Sequence, residues 1–94
     1  MEIDRASHEV RVEGKTAALT ATEFKILAAL ANTPGDVLSR ATLLERLGEG
    51  ANIFERTLDR HINNLRKKIE RDPRNPNFVV TIYGVGYKLR RPDA

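Results

Sequence analysis

Arg56, Arg60, Asn63, Asn64, Lys67 and Arg71 are the side chains in this sequence best suited to meet another molecule. Arginine and lysine neutralise phosphates. Arginine and asparagine also form paired hydrogen bonds with the edges of guanine and adenine. Between them, Leu58, Ile62, Leu65 and Ile69 follow one another at steps of four, three and four. That spacing predicts a helix over residues 55–71 with one narrow apolar stripe, and at about 100° per residue the polar groups fall opposite the stripe. Such a rod suits the major groove of duplex DNA. An ordinary solvated helix face carries similar charge runs, so the helix alone leaves both readings open.

The rest of the composition narrows the choice. The 94 residues make one domain, spanning 1–94, with a modest core. There is no cysteine, which excludes disulfides and cysteinyl metal sites. The two histidines, His8 and His61, lie far apart, so no metal site and no cofactor are expected. No apolar run approaches the ~18 residues of a membrane span, and no signal peptide is visible. A cytoplasmic protein away from membranes is expected. Net charge is +3, but it is unevenly spread. Residues 1–54 hold six basic and eight acidic side chains, whereas residues 55–94 hold ten and five. A polyanion contact therefore belongs on the second half.

The elements that must position the helix can be read in order. Val10 and Val12 alternate with Arg11 and Glu13, Gly14-Lys15 marks a turn, and Thr16 to Leu19 return, so residues 3–19 predict a small antiparallel sheet. Thr20 and Glu23 form a capping box for a helix ending near Asn32, before Pro34-Gly35. Its apolar residues cover a wide arc, which implies a helix sandwiched between the sheet and other helices. Val37-Leu38 is a short extended piece. Ser39 caps a second helix, about Arg40 to Leu47, with Leu43, Leu44 and Leu47 inward. A loop, Gly48 to Ala51, follows, and Asn52 is placed to cap the third helix. Asp72 to Asn77 is a polar turn that stops it. Phe78 to Tyr83 and Tyr87 to Leu89 predict a hairpin turned by Gly84-Val85-Gly86, with Arg90 onwards a frayed tail. The fold class is α+β: a winged helix-turn-helix with an N-terminal antiparallel sheet, three helices and a C-terminal β-hairpin.

Four blocks in this order resemble the OmpR/PhoB-type DNA-binding effector domain of two-component response regulators. Leu19-Thr20-Ala21-Thr22-Glu23-Phe24-Lys25-Ile26-Leu27 resembles the opening of that family's first helix. Pro34-Gly35-Asp36-Val37-Leu38-Ser39-Arg40 is similar to its helix connection. Residues 56–69, from Arg56-Thr57-Leu58-Asp59 to Lys67-Lys68-Ile69, resemble its recognition helix. Asn75-Pro76 and Thr81-Ile82-Tyr83-Gly84-Val85-Gly86-Tyr87 resemble its wing. The match covers about residues 3–90.

The resemblance implies a four-stranded N-terminal sheet and a transcription factor binding directly repeated half-sites as a head-to-tail homodimer. It also implies a receiver domain, phosphorylated on an aspartate, in the full-length protein; no such domain lies within these 94 residues. Carried over by position, Arg56, Thr57 and His61 face phosphates, Asn63, Asn64 and Lys67 approach base edges or backbone, and Arg66 lies alongside. Arg60 and Arg71 share the polar face. Thr81 touches backbone from the wing, and Lys88 or Arg90 is placed to contact phosphates where Tyr83 supplies no charge. The loop holding Gly48, Glu49, Gly50, Ala51 and Asn52 corresponds to the family's RNA polymerase contact. Tyr83 departs from the family, which usually has Arg or Lys there for the minor groove. Leu47-Gly48 stands where the family often has Trp-Gly.

Several of these residues have structural readings of their own. Arg66 is also placed to pair with Glu70 or Glu55. Asp59, which would repel phosphate, should pair with a neighbouring arginine. His61 sits at the edge of the stripe, and Tyr87 and Phe78 read as core aromatics. A winged helix can also dock an acidic protein, since fold does not fix function; the Asn63-Asn64 pair favours DNA, because carboxamides add little to a purely electrostatic dock. No nucleophile–base–orienter set exists, so an enzyme is not expected.

Overall fold

The computed structural model describes residues 1–48 and 53–91. Its elements run β1 (Glu2–Asp4), β2 (Glu9–Val12), β3 (Lys15–Ala17), α1 (Ala21–Ala31), β4 (Leu38–Ser39), α2 (Arg40–Leu47), α3 (Glu55–Ile69), β5 (Val79–Ile82) and β6 (Gly86–Leu89). No helix among the described residues is long and apolar enough to cross a membrane.

The N-terminal sheet is antiparallel in the order β1-β2-β3. It has three strands rather than the four the family resemblance implies, because the chain turns at residues 5–8 and 13–14 and then leaves for α1. Val12 pairs with Lys15 across Glu13-Gly14, both at positive φ (53° and 80°), as a two-residue hairpin turn of the twist-matched kind requires. Val10 is the one strand residue here that is fully buried.

The capping box on α1 is present: Thr20 Oγ1 accepts from Glu23 N at 3.1 Å, and Glu23 accepts from Thr20 N at 2.9 Å. Phe24, Ile26, Leu27 and Leu30 are buried, and α1 packs on α2, α3 and β6. Ser39 caps α2 through Thr42 N, and Leu43 is buried while Leu44 and Leu47 are half-buried. Asn52, the expected cap of α3, lies outside the described residues. The capping position is Phe54, and it makes no side-chain bond.

The second sheet runs β4-β6-β5. The short strand before α2 is thereby stitched to the hairpin, with Leu38 opposite Tyr87 and Ser39 opposite Gly86. Gly86 is therefore a strand residue rather than a turn residue. A Cβ there would lie 2.0 Å from the Leu38 carbonyl oxygen, so only glycine lets β4 and β6 meet. The turn itself is Tyr83-Gly84-Val85, with Gly84 at φ +79°.

Candidate nucleic-acid interface

The apolar stripe of α3 is buried throughout: Leu58, Ile62 and Leu65 are fully enclosed and Ile69 nearly so. Burial of four aliphatics fixes the roll of the helix, at roughly 1.5–3 kcal/mol each. The roll decides what faces water. Arg56, Arg60, Asn63 and Lys67 are exposed, and Asn64 is half-buried. The side chains of Arg60, Asn63, Asn64 and Lys67 make no hydrogen bond or ion pair among the described residues. Arg56 lies over the exposed Phe54 ring at 5.3 Å, beside the start of the helix. Thr57 and His61 are half-buried at the margin, and Thr57 Oγ1 donates to Phe54 O at 2.9 Å.

The two flanks of α3 tie it to the rest of the fold. On one side Lys68 Nζ donates to the buried Glu23 at 2.6 Å. Burial pushes the Glu23 carboxyl up, but the Lys68 ammonium and the Thr20 backbone N–H outweigh it and hold it below its ordinary value. On the other side Asp59 accepts two bonds from Arg40 on α2, at 3.0 and 3.1 Å, and one from the Tyr87 hydroxyl. The Arg40 guanidinium holds the Asp59 carboxyl low. Burial, and then the facing carboxylate, push the Tyr87 phenol up to about 12. The arginine that pairs with Asp59 thus comes from a different helix.

Arg66 does not share the outward face. It is 8 % exposed, donates from Nε to Val79 O at 2.9 Å and from Nη2 to Thr81 Oγ1 at 2.6 Å, and stacks over the Tyr87 ring at 5.5 Å. It forms no ion pair with Glu70 or Glu55. Glu70, the C-cap of α3, instead accepts from the backbone N–H groups of Asn77, Phe78 and Val79 at 2.8–3.2 Å. The helix therefore ends at Ile69, and Arg71 lies beyond it, ion-paired to Glu13 on the N-terminal sheet at 2.6 Å while remaining largely in water. At the wing tip Tyr83 is 91 % exposed; Lys88 is half-buried on β6.

An exposed cationic helix face beside a hairpin whose tip projects into water is the arrangement a groove-reading module needs. Residues 14–89 match the model of the family described as "Transcriptional regulatory protein, C terminal". The chain belongs to this family. It is an effector domain of the OmpR/PhoB type. Among its relatives, the DNA-binding response regulator MtrA of Mycolicibacterium smegmatis is 42% identical over 93 residues, covering 98% of this chain and 41% of that protein. The response regulator DrrB of Thermotoga maritima, an OmpR/PhoB homologue, superposes with a TM-score of 0.84 at 39% identity, covering 95% of this chain and 41% of that one. The DNA-binding domain of RstA from Klebsiella pneumoniae, solved in complex with the RstA box, gives a TM-score of 0.81 at 30% identity, covering 94% and 88%. The chain thus spans about two fifths of the length of MtrA and DrrB.

Within this effector domain the sequence-predicted residues divide. Arg56, Arg60, Asn63, Asn64 and Lys67 share one accessible face of α3, with Thr57 and His61 at its edge. Arg66 and Thr81 are joined to each other between helix and wing. Gly48 closes α2, and the remainder of the loop reading, Glu49 to Asn52, lies outside the described residues. Sequence context did not single out Arg40, and it marked Glu70 only as a partner for Arg66. A signal was available for part of this. Asp59, Arg66 and Glu70 recur at steps of seven and four, so three charged groups line one flank of a helix beside its apolar seam.

Proposed function

We propose that this chain is the DNA-binding output domain of a response regulator, with α3 in the major groove and the wing on the adjacent backbone or minor groove. The observation that carries the reading is the face of Arg60, Asn63, Asn64 and Lys67, which owes nothing to the fold's own bonding. Arg56, Arg60, Thr57 and His61 contact phosphates, and Asn63, Asn64 and Lys67 contact base edges or nearby backbone. Tyr83 and Lys88 contact the duplex from the wing, with Thr81 beside them. Arg71 makes a peripheral phosphate contact, sharing its charge with Glu13. Arg66 is left out of this set because its guanidinium is committed to the hairpin.

Two copies bind head to tail on directly repeated half-sites, which multiplies a weak single-site affinity. A receiver domain in the full-length protein supplies the phosphorylation input, and the segment from Gly48 to Asn52 meets RNA polymerase. A cytoplasmic location is part of the same reading, since the ligand is duplex DNA. The family, described as the C-terminal part of a transcriptional regulatory protein, and the DNA complex of RstA support the DNA reading itself.

An anisotropy titration over a range of salt, on duplexes selected from a random pool, tests the core of it. Affinity should fall steeply with salt. Asn64→Ala with Lys67→Ala should weaken binding roughly tenfold to a hundredfold and reduce the salt slope by about one. Salt-independent binding, or indifference to both substitutions, would reject the reading. An acidic protein captured tightly by a chain that ignores DNA at low salt would replace it.

A further inference from the structure

In the order β4-β6-β5, β5 is an edge strand with only one hydrogen-bonded neighbour. Arg90 N donates to Phe78 O at 2.8 Å, so residue 78 faces β6 and the peptide groups of Val79 point the other way. Left alone and buried, they would be costly orphans. Val79 is fully buried, and both its backbone groups are satisfied by side chains of α3 and its C-cap. Arg66 takes its carbonyl and Glu70 takes its N–H. These two residues have opposite charges at a spacing of four, the usual arrangement for an ion pair along a helix. Here each reaches past the other to the strand. Arg66 adds Thr81 and the Tyr87 ring, and Glu70 adds the two N–H groups ahead of β5.

We propose that Arg66 and Glu70 are positioning residues that hang the wing from the recognition helix, so that a duplex meets helix and wing as one preset surface. The inference rests on the DNA reading above. Neither residue touches DNA. Together they fix how far Tyr83, at the far end of β5, stands from Lys67 on α3. A wing free to swing would have to be immobilised on binding, and its contribution would shrink accordingly.

The test is a double-mutant cycle on the 94-residue chain, read as Kd for one selected duplex. Arg66→Lys keeps the charge but cannot reach Val79 O and Thr81 Oγ1 together with a planar fork. Tyr83→Ala removes the wing-tip contact. In the unaltered chain Tyr83→Ala should weaken binding; in the Arg66→Lys background that loss should shrink by about threefold or more. Arg66→Lys and Glu70→Gln should leave the salt slope unchanged, as should Arg66→Gln. A direct phosphate contact would instead lower the slope by about one when the arginine charge is removed. Equal losses from Tyr83→Ala in all backgrounds would overturn the proposal, as would no loss in the unaltered chain, or a reduced slope in Arg66→Gln. If the Arg66 variants fail to fold, the same cycle with Glu70→Gln decides it by the same criteria. Failure of the underlying reading looks different: the unaltered chain would then show no salt-dependent binding to any duplex, and the proposal would fall with it.

Discussion

The two sheets have the same number of strands and serve the fold in different ways. The N-terminal sheet buries a single strand residue completely, Val10, and its turn residue Glu13 is tied to Arg71, just past the end of α3, by a solvent-exposed ion pair. The C-terminal sheet buries Leu38, Val79, Tyr87 and Leu89, and it meets α3 through two nearly dry charged side chains. An exposed ion pair contributes little, because water and salt screen it. A buried carboxylate receiving three backbone N–H groups is far more demanding of geometry. The first sheet is a backing for the helices; the second is built into the surface that α3 presents.

Matched glycine substitutions give the largest test of that contrast. Gly86→Ala drives a methyl into the Leu38 carbonyl and should cost about 3 kcal/mol or unfold the chain. Gly14→Ala in the other sheet meets open space and should cost only about 1 kcal/mol, for its positive φ. Urea melts of both variants make the comparison, and equal losses would break it.

Glu70→Gln comes next. It keeps the shape but weakens three charge-assisted bonds, and should lower stability by about 2 kcal/mol. Glu13→Gln, at the corresponding tie of the N-terminal sheet, should leave the melting temperature unchanged within error.

Titration sharpens the contrast further. Glu23 and Asp59 are both held below their ordinary values of 4.5 and 3.8. Their contribution is complete above those values and is lost as acid protonates the folded forms. Melting temperature should therefore fall below about pH 4, and Glu23→Gln should blunt the fall. At the other extreme, Tyr87 ionises near pH 10 when unfolded and about 12 when folded. Its stabilisation is present below pH 10 and lost as pH rises towards 12; Tyr87→Phe should remove that alkaline limb. The smallest effect expected is from Arg71→Ala, which should shift DNA affinity slightly and stability not at all.

What could be read beforehand follows from how far apart the interacting residues lie. The capping box on α1, the seam of α3 and the Ser39 cap are written within one or two helical turns, and all are present. The hairpin was legible from its strand-forming run and Gly84. The direction of Arg66 was not, because it depends on a strand 13 and 15 residues later folding back beside the helix. Asp59 takes partners 19 residues before and 28 after. Gly86 reads as a turn residue until β4, which it must admit, is known to be its neighbour. The same applies to the outward face. Its helical periodicity was plain and set Arg66 apart on the flank, whereas the partners Arg66 takes there needed the wing.

The freedom of Arg60, Asn63, Asn64 and Lys67 from any bond within the described molecule has an evolutionary side. On the DNA reading proposed above, replacing them would alter which operators are recognised without taxing the architecture beneath, so the lineage could change its regulatory address book while keeping the same scaffold. Arg66, one position from Lys67, has no such licence.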